Sequence, residues 1–447
     1  MAGEWRSSVV SDLEREGVLL VEDGNHGEYR PRPDEFVDHG VAFIRAADMN
    51  NERVLFSSAA KINERARQRI TKGIGAPGDV LLSHKGTIGK IALVPDDAPP
   101  FVCSPQTTFW RSLNLDVLDR KFLYAFLRSP AFRDQLATRA GETDMAPYVS
   151  LTSQRGLSVV LPRIEEQRAI AHILGTLDDK IELNRRMNET LEAIARAIFK
   201  SWFVDFDPVR AKASGEAPES ICRRLGLTPE LLALFPDRFQ NSELGEISEG
   251  WEVKSLYDCA EYINGLAFRD EHFSQERLGL PVIKIGELKD GITEQTKFTQ
   301  SIFEAKYRVT SGDILFSWSG SPDTSIDTFV WVGTDGWLNQ HIFKIAFKRQ
   351  LEKYFLYYLL RHLKPEFIEI ARNKQTTGLG HVTVQDLKRL RAVFPGDSAL
   401  REFNVIAEPL FQKVYSNHCE SSTLSLLRDT LLPKFLSGEL PIPVGAA

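Results

Sequence analysis

Polar loops in both halves of the chain collect side chains suited to nucleic acid. In the first half, KINERARQRITKG (Lys61–Gly73) supplies Lys61, Arg65, Arg67, Arg69 and Lys72. SHKGTIGK (Ser83–Lys90) adds Ser83, Lys85, Thr87 and Lys90, and Gln106 follows. In the second half, FSWSGSPDTS (Phe316–Ser325) contains Ser317, Trp318 and Ser319. Asn339, Gln340 and His341 come next, and RNKQTTGLGH (Arg372–His381) carries Lys374, Gln375 and Thr376. Arginine and lysine suit guanine edges and phosphates; glutamine and asparagine suit adenine edges. Any one of these residues is more often just part of a solvated face. Their recurrence at matching places in two halves favours a shared binding surface, without identifying base contacts.

Catalytic patterns are missing from the sequence. GTIGK (Gly86–Lys90) resembles part of a phosphate-binding loop, but GxxxxGK[ST] needs glycine where His84 stands and a hydroxyl where Ile91 stands. A glycine turn joining LLSHK to KIALV is the better reading. There is no Asn-Pro-Pro-aromatic or Asp-Pro-Pro-Tyr run and no glycine-rich cofactor loop after a strand, so no methyltransferase signature. No Asp/Glu/Lys trio reads as a nuclease site. The nine histidines lack metal-ligand spacing, and His172 and His418 are read as solvated positions on helices. No metal or cofactor is expected in this chain. Cys103, Cys222, Cys259 and Cys419 are far apart and form no CxxC pair, which points to free thiols in a reducing cytoplasm.

The bulk properties agree with a globular protein of two or three domains. The chain has 447 residues, 43% hydrophobic and 26% charged. A net charge of −6 argues against a broad, nonspecific polyanion binder but leaves room for local basic clefts. No apolar run approaches the ~18 residues of a membrane span. MAGEWRSSVVSDLEREG has no signal-peptide core, so a cytoplasmic location with no membrane partner is expected.

The elements that must position the polar loops are two long helices. From Gln167 to Phe203 a heptad seam runs Leu174, Leu177, Ile181, Asn184, Asn188, Leu191, Ala195, Ile198, Trp202; seven of the nine are apolar. No proline interrupts the run, Glu165 and Glu166 suit its first turn, and Pro208 requires it to have ended. A single seam needs a partner helix, and the second seam lies near the C-terminus: Ala407, Leu410, Val414, Asn417, Ser421, Leu424, Arg428, Leu431, Phe435. Each position follows its counterpart by 233 residues, as in 414 − 181 and 417 − 184. Asn184 and Asn417 are therefore equivalent, and a seam asparagine trades stability for register. Gly438 is placed to end the second helix, and Pro433 is expected to kink its last turn.

The repeat extends upstream. KFLYAFLRS (Lys121–Ser129) corresponds to YFLYYLLRH (Tyr354–His362), and YVSLTSQRGLSVVLP (Tyr148–Pro162) to HVTVQDLKRLRAVFP (His381–Pro395), both at an offset of 233. With small drifts GDVLLS matches GDILFS, Gln106 matches Gln340, and Trp5 matches Trp251. Short β-branched runs (VAFIRA, GDVLLS, KIALV, TTFWRSL; PVIKIG, GDILFSW, TFVWVG, HIFKIAF) predict strands, and FLYAFLRSPAFRDQL and YFLYYLLRHLKPEFIEIA predict amphipathic helices. The fold class is α+β: two tandem mixed domains, each followed by a long helix. The expected boundaries are 1–162 and 250–396 for the domains, 163–207 and 397–440 for the helices, 208–249 for a link with one short helix (TPELLALF), and 441–447 for a tail.

LSVVLPRIEEQRAIAHILGTLDDKIELNRRMNETLEAIARAIFKSWFVDFDPV, FPDRFQNSELGEISEGWEV, GDVLLSHKGTIGKIALV and GDILFSWSGS together resemble the specificity subunit of type I restriction-modification systems. The resemblance covers nearly the whole chain. It implies that each half is a target-recognition domain and that the helices pack antiparallel as a coiled-coil spacer. It also implies double-stranded DNA, two modification (methyltransferase) subunits and restriction (nuclease-translocase) subunits as partners. S-adenosylmethionine and ATP would then sit in those partners, and this chain would not be a catalyst. The second helix departs from the first where Ser421 and Arg428 replace Asn188 and Ala195; either the seam is less tight there or those positions face a partner subunit. A competing reading is a coiled-coil adaptor whose duplicated domains bind proteins and not DNA. An orphan nuclease ranks below it.

Overall fold

The runs VLL and ILF are apolar without alternation, as strands covered on both faces must be. In the computed structural model, which describes residues 5–24, 27–50, 52–140, 147–375 and 378–442, Val80–Ser83 and Ile314–Ser317 are buried at every position. Each is an inner strand of a four-stranded antiparallel sheet. The first sheet has the order Leu19–Asp23, Thr107–Ser112, Val80–Ser83, Ile91–Leu93. The second has Ala260–Asn264, Ile342–Phe347, Ile314–Ser317, Asp327–Val330. The topology is the same, so the duplication read in the sequence is a duplication of fold. A second four-stranded sheet in each half contains one parallel pair, Val41–Ile44 with Phe101–Cys103 and Leu280–Ile283 with Gly336–Leu338.

Each half is also stitched end to end. Arg6–Val9 pairs antiparallel with Ser158–Leu161, and Glu252–Ser255 with Arg391–Phe394. The later strand of each pair leads directly into a long helix. The run FLYAFLRSPAFRDQL forms two helices, not one: Arg120–Arg128, capped by the Asp119 carboxylate, and Pro130–Ala140. Ser129 is extended because the following Pro130 disfavours helical backbone before it.

The long helices are Ile164–Phe203 and Asp397–Leu436, 40 residues each. At about 1.5 Å per residue each is about 60 Å long. Gly438 takes a positive φ of 75° just past the second, and that helix runs on through Pro433 to Leu436. The chain divides into two compact units, Met1–Lys180 with Leu424–Ala447, and Ile181–Thr423, so each long helix contributes to both.

Within each unit the helices run antiparallel. In the first, Ile170 and Leu174 share a core with Leu432 and Phe435, and Asp178 pairs with Arg428. In the second, Asn184 lies against Ser421, Asn188 against Asn417, and Phe203 against Phe403, with ring centroids 5.1 Å apart in the last pair. Asn417 Nδ2 donates to Asn188 Oδ1 at 2.8 Å, and Asn184 Nδ2 to Glu420 Oε2 at 2.8 Å. The seam positions Leu174, Asn184, Val414 and Asn417 are buried, and Leu177, Ile181, Leu191, Ile198, Leu410, Leu424 and Leu431 are half-buried.

Segment 208–249 is more structured than a link. It belongs to a stretch forming the helices Asp207–Ala213, Pro218–Leu225 and Pro229–Ala233 and a hairpin, Phe239–Ser242 with Gly245–Ser248. Val209, Ile221, Leu232 and Phe235 enter the core of the second unit beside Trp202 and Trp251. Prolines at the starts of these helices favour initiation there, so a Pro-rich stretch folds instead of running free. All four cysteines are free, and burial pushes the Cys103 and Cys259 thiols up to about 12, which makes both poor nucleophiles.

Candidate nucleic-acid interface

In the first unit three segments meet beside the main sheet. The hairpin joining Val80–Ser83 to Ile91–Leu93 turns back through Gly86 and Gly89, at φ of 79° and 87°. Such left-handed backbone favours glycine, and this is what GTIGK provides. Ser83 closes the turn: its Oγ accepts from Lys90 N and its carbonyl from Gly89 N, both at 2.9 Å. His84 N donates to Gln106 O, and Val149 N donates to His84 O, both at 2.9 Å. Lys85 forms a bridge with Tyr148, its Nζ 5.6 Å from the ring centroid.

The second unit repeats this construction with other side chains. Trp318 N donates to His341 O at 3.2 Å, and Val382 N donates to Trp318 O at 2.8 Å. Ser319 pairs with His381 and Gly320 with Gly380. The Trp318 ring stacks on Phe343 with centroids 5.6 Å apart, and its Nε1 donates to Asn264 Oδ1 at 3.0 Å. Burial lowers the pKa of His341, whose Nε2 lies 3.3 Å from Gln340 Nε2.

The structure sorts the loop residues by what already occupies them. Lys85, Thr87 and Gln106 are exposed around the first cluster. Lys90 is tied inward, its Nζ donating to the carbonyls of Ala46 and Met49 at 3.0 and 2.8 Å. Gln340 is exposed in the second cluster, with Trp318, Ser319 and His341 half-buried, Asn339 buried, and Ser317 wholly buried in its strand. Lys374 is held by Asp386, with Nζ 2.7 and 2.5 Å from its two carboxylate oxygens. Burial of Asp386 opposes ionisation, but hydrogen bonds from Lys374 and Thr383 outweigh it and lower its pKa. Gln375 is exposed, and Thr376 lies outside the described residues.

The segment Lys61–Gly73 belongs to the other sheet of this half, and the carbonyl of its end residue, Gly73, accepts from Cys103 N at 2.7 Å. Lys61 lies in the strand Lys61–Ile62 of the sheet that holds Val41–Ile44 and Phe101–Cys103, and Glu64–Arg69 is a helix capped by Asn63 and packed on that sheet through Ala66. Arg69 pairs with Glu35 at 2.5 Å, and that bond holds the Glu35 carboxyl down to about 2. Arg67 reaches the Ile70 carbonyl at 3.5 Å, while Arg65 and Lys72 are exposed. The reading of single residues missed Tyr148, His381 and Asn264. The first two were signalled: YVSL and HVTV align them at the 233 offset.

The family model for the type I restriction modification DNA specificity domain matches residues 26–193 and 248–399, which is most of the chain and both halves of the repeat. The chain belongs to the family of type I restriction-modification specificity subunits. Its members recognise DNA targets and are not catalysts. Among relatives, the MjaIX specificity subunit of Methanocaldococcus jannaschii is 26% identical over 423 residues, covering 91% of this chain and 88% of its own. The HindI specificity subunit of Haemophilus influenzae is 27% identical over 442 residues, covering 90% and 94%. The crystal structure of the type I S subunit from M. genitalium covers 97% of this chain and 96% of its own, at 14% identity and a TM-score of 0.49. Among the described residues, no helix is long and apolar enough to cross a membrane.

Proposed function

We propose that this specificity subunit reads a bipartite, asymmetric DNA target, with residues 1–162 and 250–396 each reading one half-site and the helix pair setting the gap between them. The observation that carries this reading is the recurrence of one three-segment loop cluster, built by corresponding backbone hydrogen bonds, with His341 and not Gln340 in the place of Gln106, and furnished with different side chains. Equal frames favour equal docking on DNA, and unequal side chains favour different bases. Lys85, Thr87 and Gln106 are the leading base-reading candidates of the first half; Ser319, Gln340, His341 and Gln375 are those of the second. Arg65 and Lys72 are better suited to phosphate.

The partners are two methyltransferase subunits, joined by restriction subunits for cleavage, and these supply the S-adenosylmethionine and ATP sites. The test is methylation of a duplex library by the complex of this chain with its modification subunits. Two separated clusters of preferred bases at a fixed gap, with binding that weakens as salt rises, are expected. A single contiguous motif would overturn the two-reader model, and salt-independent binding or none would favour a protein adaptor.

A further inference from the structure

The helices Arg120–Arg128 and Lys353–His362 each carry a tyrosine and an arginine four residues apart, Tyr124 with Arg128 and Tyr357 with Arg361, again offset by 233. Each guanidinium lies over its tyrosine ring, 4.6 Å from the centroid for Arg128 and 5.6 Å for Arg361. Each arginine then reaches the first long helix, Ile164–Phe203: Arg128 Nη1 is 2.9 Å from Asp178 Oδ2, and Arg361 Nη2 is 2.8 Å from Glu192 Oε2.

Past that shared step the first unit adds a second layer. Glu52 sits at the tip of the hairpin Met49–Asn50 with Arg53–Val54, at a φ of 62°, the left-handed backbone common in hairpin turns. Its carboxylate accepts from Arg128 Nη2 at 2.6 Å and from Arg428 Nη1 at 2.8 Å. Arg428 Nη1 also donates to Asp178 Oδ1 at 2.7 Å. The Arg128 and Arg428 side chains are only 6% and 10% exposed, so two buried cations face two carboxylates, with Asp429 at the rim 2.9 Å from Arg428 Nε. In the second helix Arg428 stands where the first has Ala195, so this layer is peculiar to one copy. The same hairpin accepts the Lys90 ammonium through the Met49 carbonyl, which links the charge cluster to the end of the Ser83–Lys90 loop.

A buried ion network contributes little net stability compared with an apolar contact of the same volume, but its fixed hydrogen-bond directions admit one arrangement. We propose that the Arg128–Glu52–Asp178–Arg428 cluster is the joint that sets the angle of the first recognition domain on its stretch of the helix pair. Glu52 and Arg428 are thus positioning residues for the gap between half-sites and do not select bases. This rests on the bipartite reading above.

The experiment uses the full chain in complex with its modification subunits and two duplex libraries. One varies the gap a base pair at a time between the wild-type half-sites; the other randomises the half-sites at the wild-type gap. The variants are Glu52→Gln and the double variant Glu52→Gln with Arg428→Met. The double variant removes one charge of each sign and leaves Arg128 balanced by Asp178, so it folds even where the single variant does not. Both should keep the base preferences, while methylation at gaps one base pair off rises about tenfold relative to the wild-type gap, the scale of coupling within one network. A wild-type gap profile in the double variant, a loss uniform across all gaps, or altered half-site bases would each overturn the assignment. Wild-type complex without a preferred gap would overturn the bipartite reading and the joint together, and the wild-type arm alone reveals that.

Discussion

Lys85 is the residue on which base reading in the first half can be tested most directly. It is exposed, no acid among the described residues is seen paired with it, and its ammonium lies 5.6 Å from the Tyr148 ring centroid. Lys85→Ala should relax preference at one position of the first half-site by about 1–3 kcal/mol, read from methylation of a randomised library. A uniform loss across sequences, with a salt slope lower by about one, would put Lys85 on phosphate instead. No change in either quantity would return it to the solvated surface. A second residue-scale test concerns the seam. Asn417→Ala leaves Asn188 Oδ1 buried without its 2.8 Å donor and should cost about 1–3 kcal/mol in urea unfolding. Replacing Asn188 and Asn417 together by leucine should recover most of that loss, because an apolar pair leaves no orphaned group. A neutral single variant would show that the asparagine pair does not matter to stability.

At the scale of elements, the long helices carry the prediction. Asn184 lies against Ser421, so residues inserted after both positions lengthen the two helices at facing points. Four residues in each add about 6 Å, close to two base pairs at about 3.4 Å each. The insertion changes the hydrophobic period locally, and the matched insertion limits that disturbance to one place. The gap in the methylated motif should widen by one to two base pairs with both half-sites unchanged, as sequencing of methylated sites would show. A folded, active complex with the original gap would remove the helices as the ruler.

At the scale of the whole molecule, specificity should transfer with a domain. The pairing of Arg6–Val9 with Ser158–Leu161 closes the first domain immediately before the long helix, so exchange of residues 1–162 for those of a relative carries the closing strands together. Glu52 and Arg128 should be retained, since both bind Arg428 or Asp178 outside the exchanged stretch. Only one half-site of the methylated motif is expected to change. A change in both would mean that the two domains read DNA jointly.

The sequence by itself determined the duplication, the two helices and their seams, because heptad spacing and a constant 233-residue offset are properties of order along the chain. It also determined most inner strands, since a run such as ILF can be buried on both faces only inside a sheet. Tertiary structure decided which loop residues are free to read a ligand. Lys90 and Lys374 have the same composition signal as Lys85, yet one is spent on backbone carbonyls and the other on Asp386. The partners come from 12 to 44 positions away, a pairing that residue type cannot announce. Segment 208–249 folded for the same reason: its apolar side chains had a core to enter, supplied by Trp202 and Trp251. The fate of Arg428 was settled in the same way. A cation at a helix seam suggests a weak point or a partner's binding site until Glu52, 376 residues earlier, is brought against it.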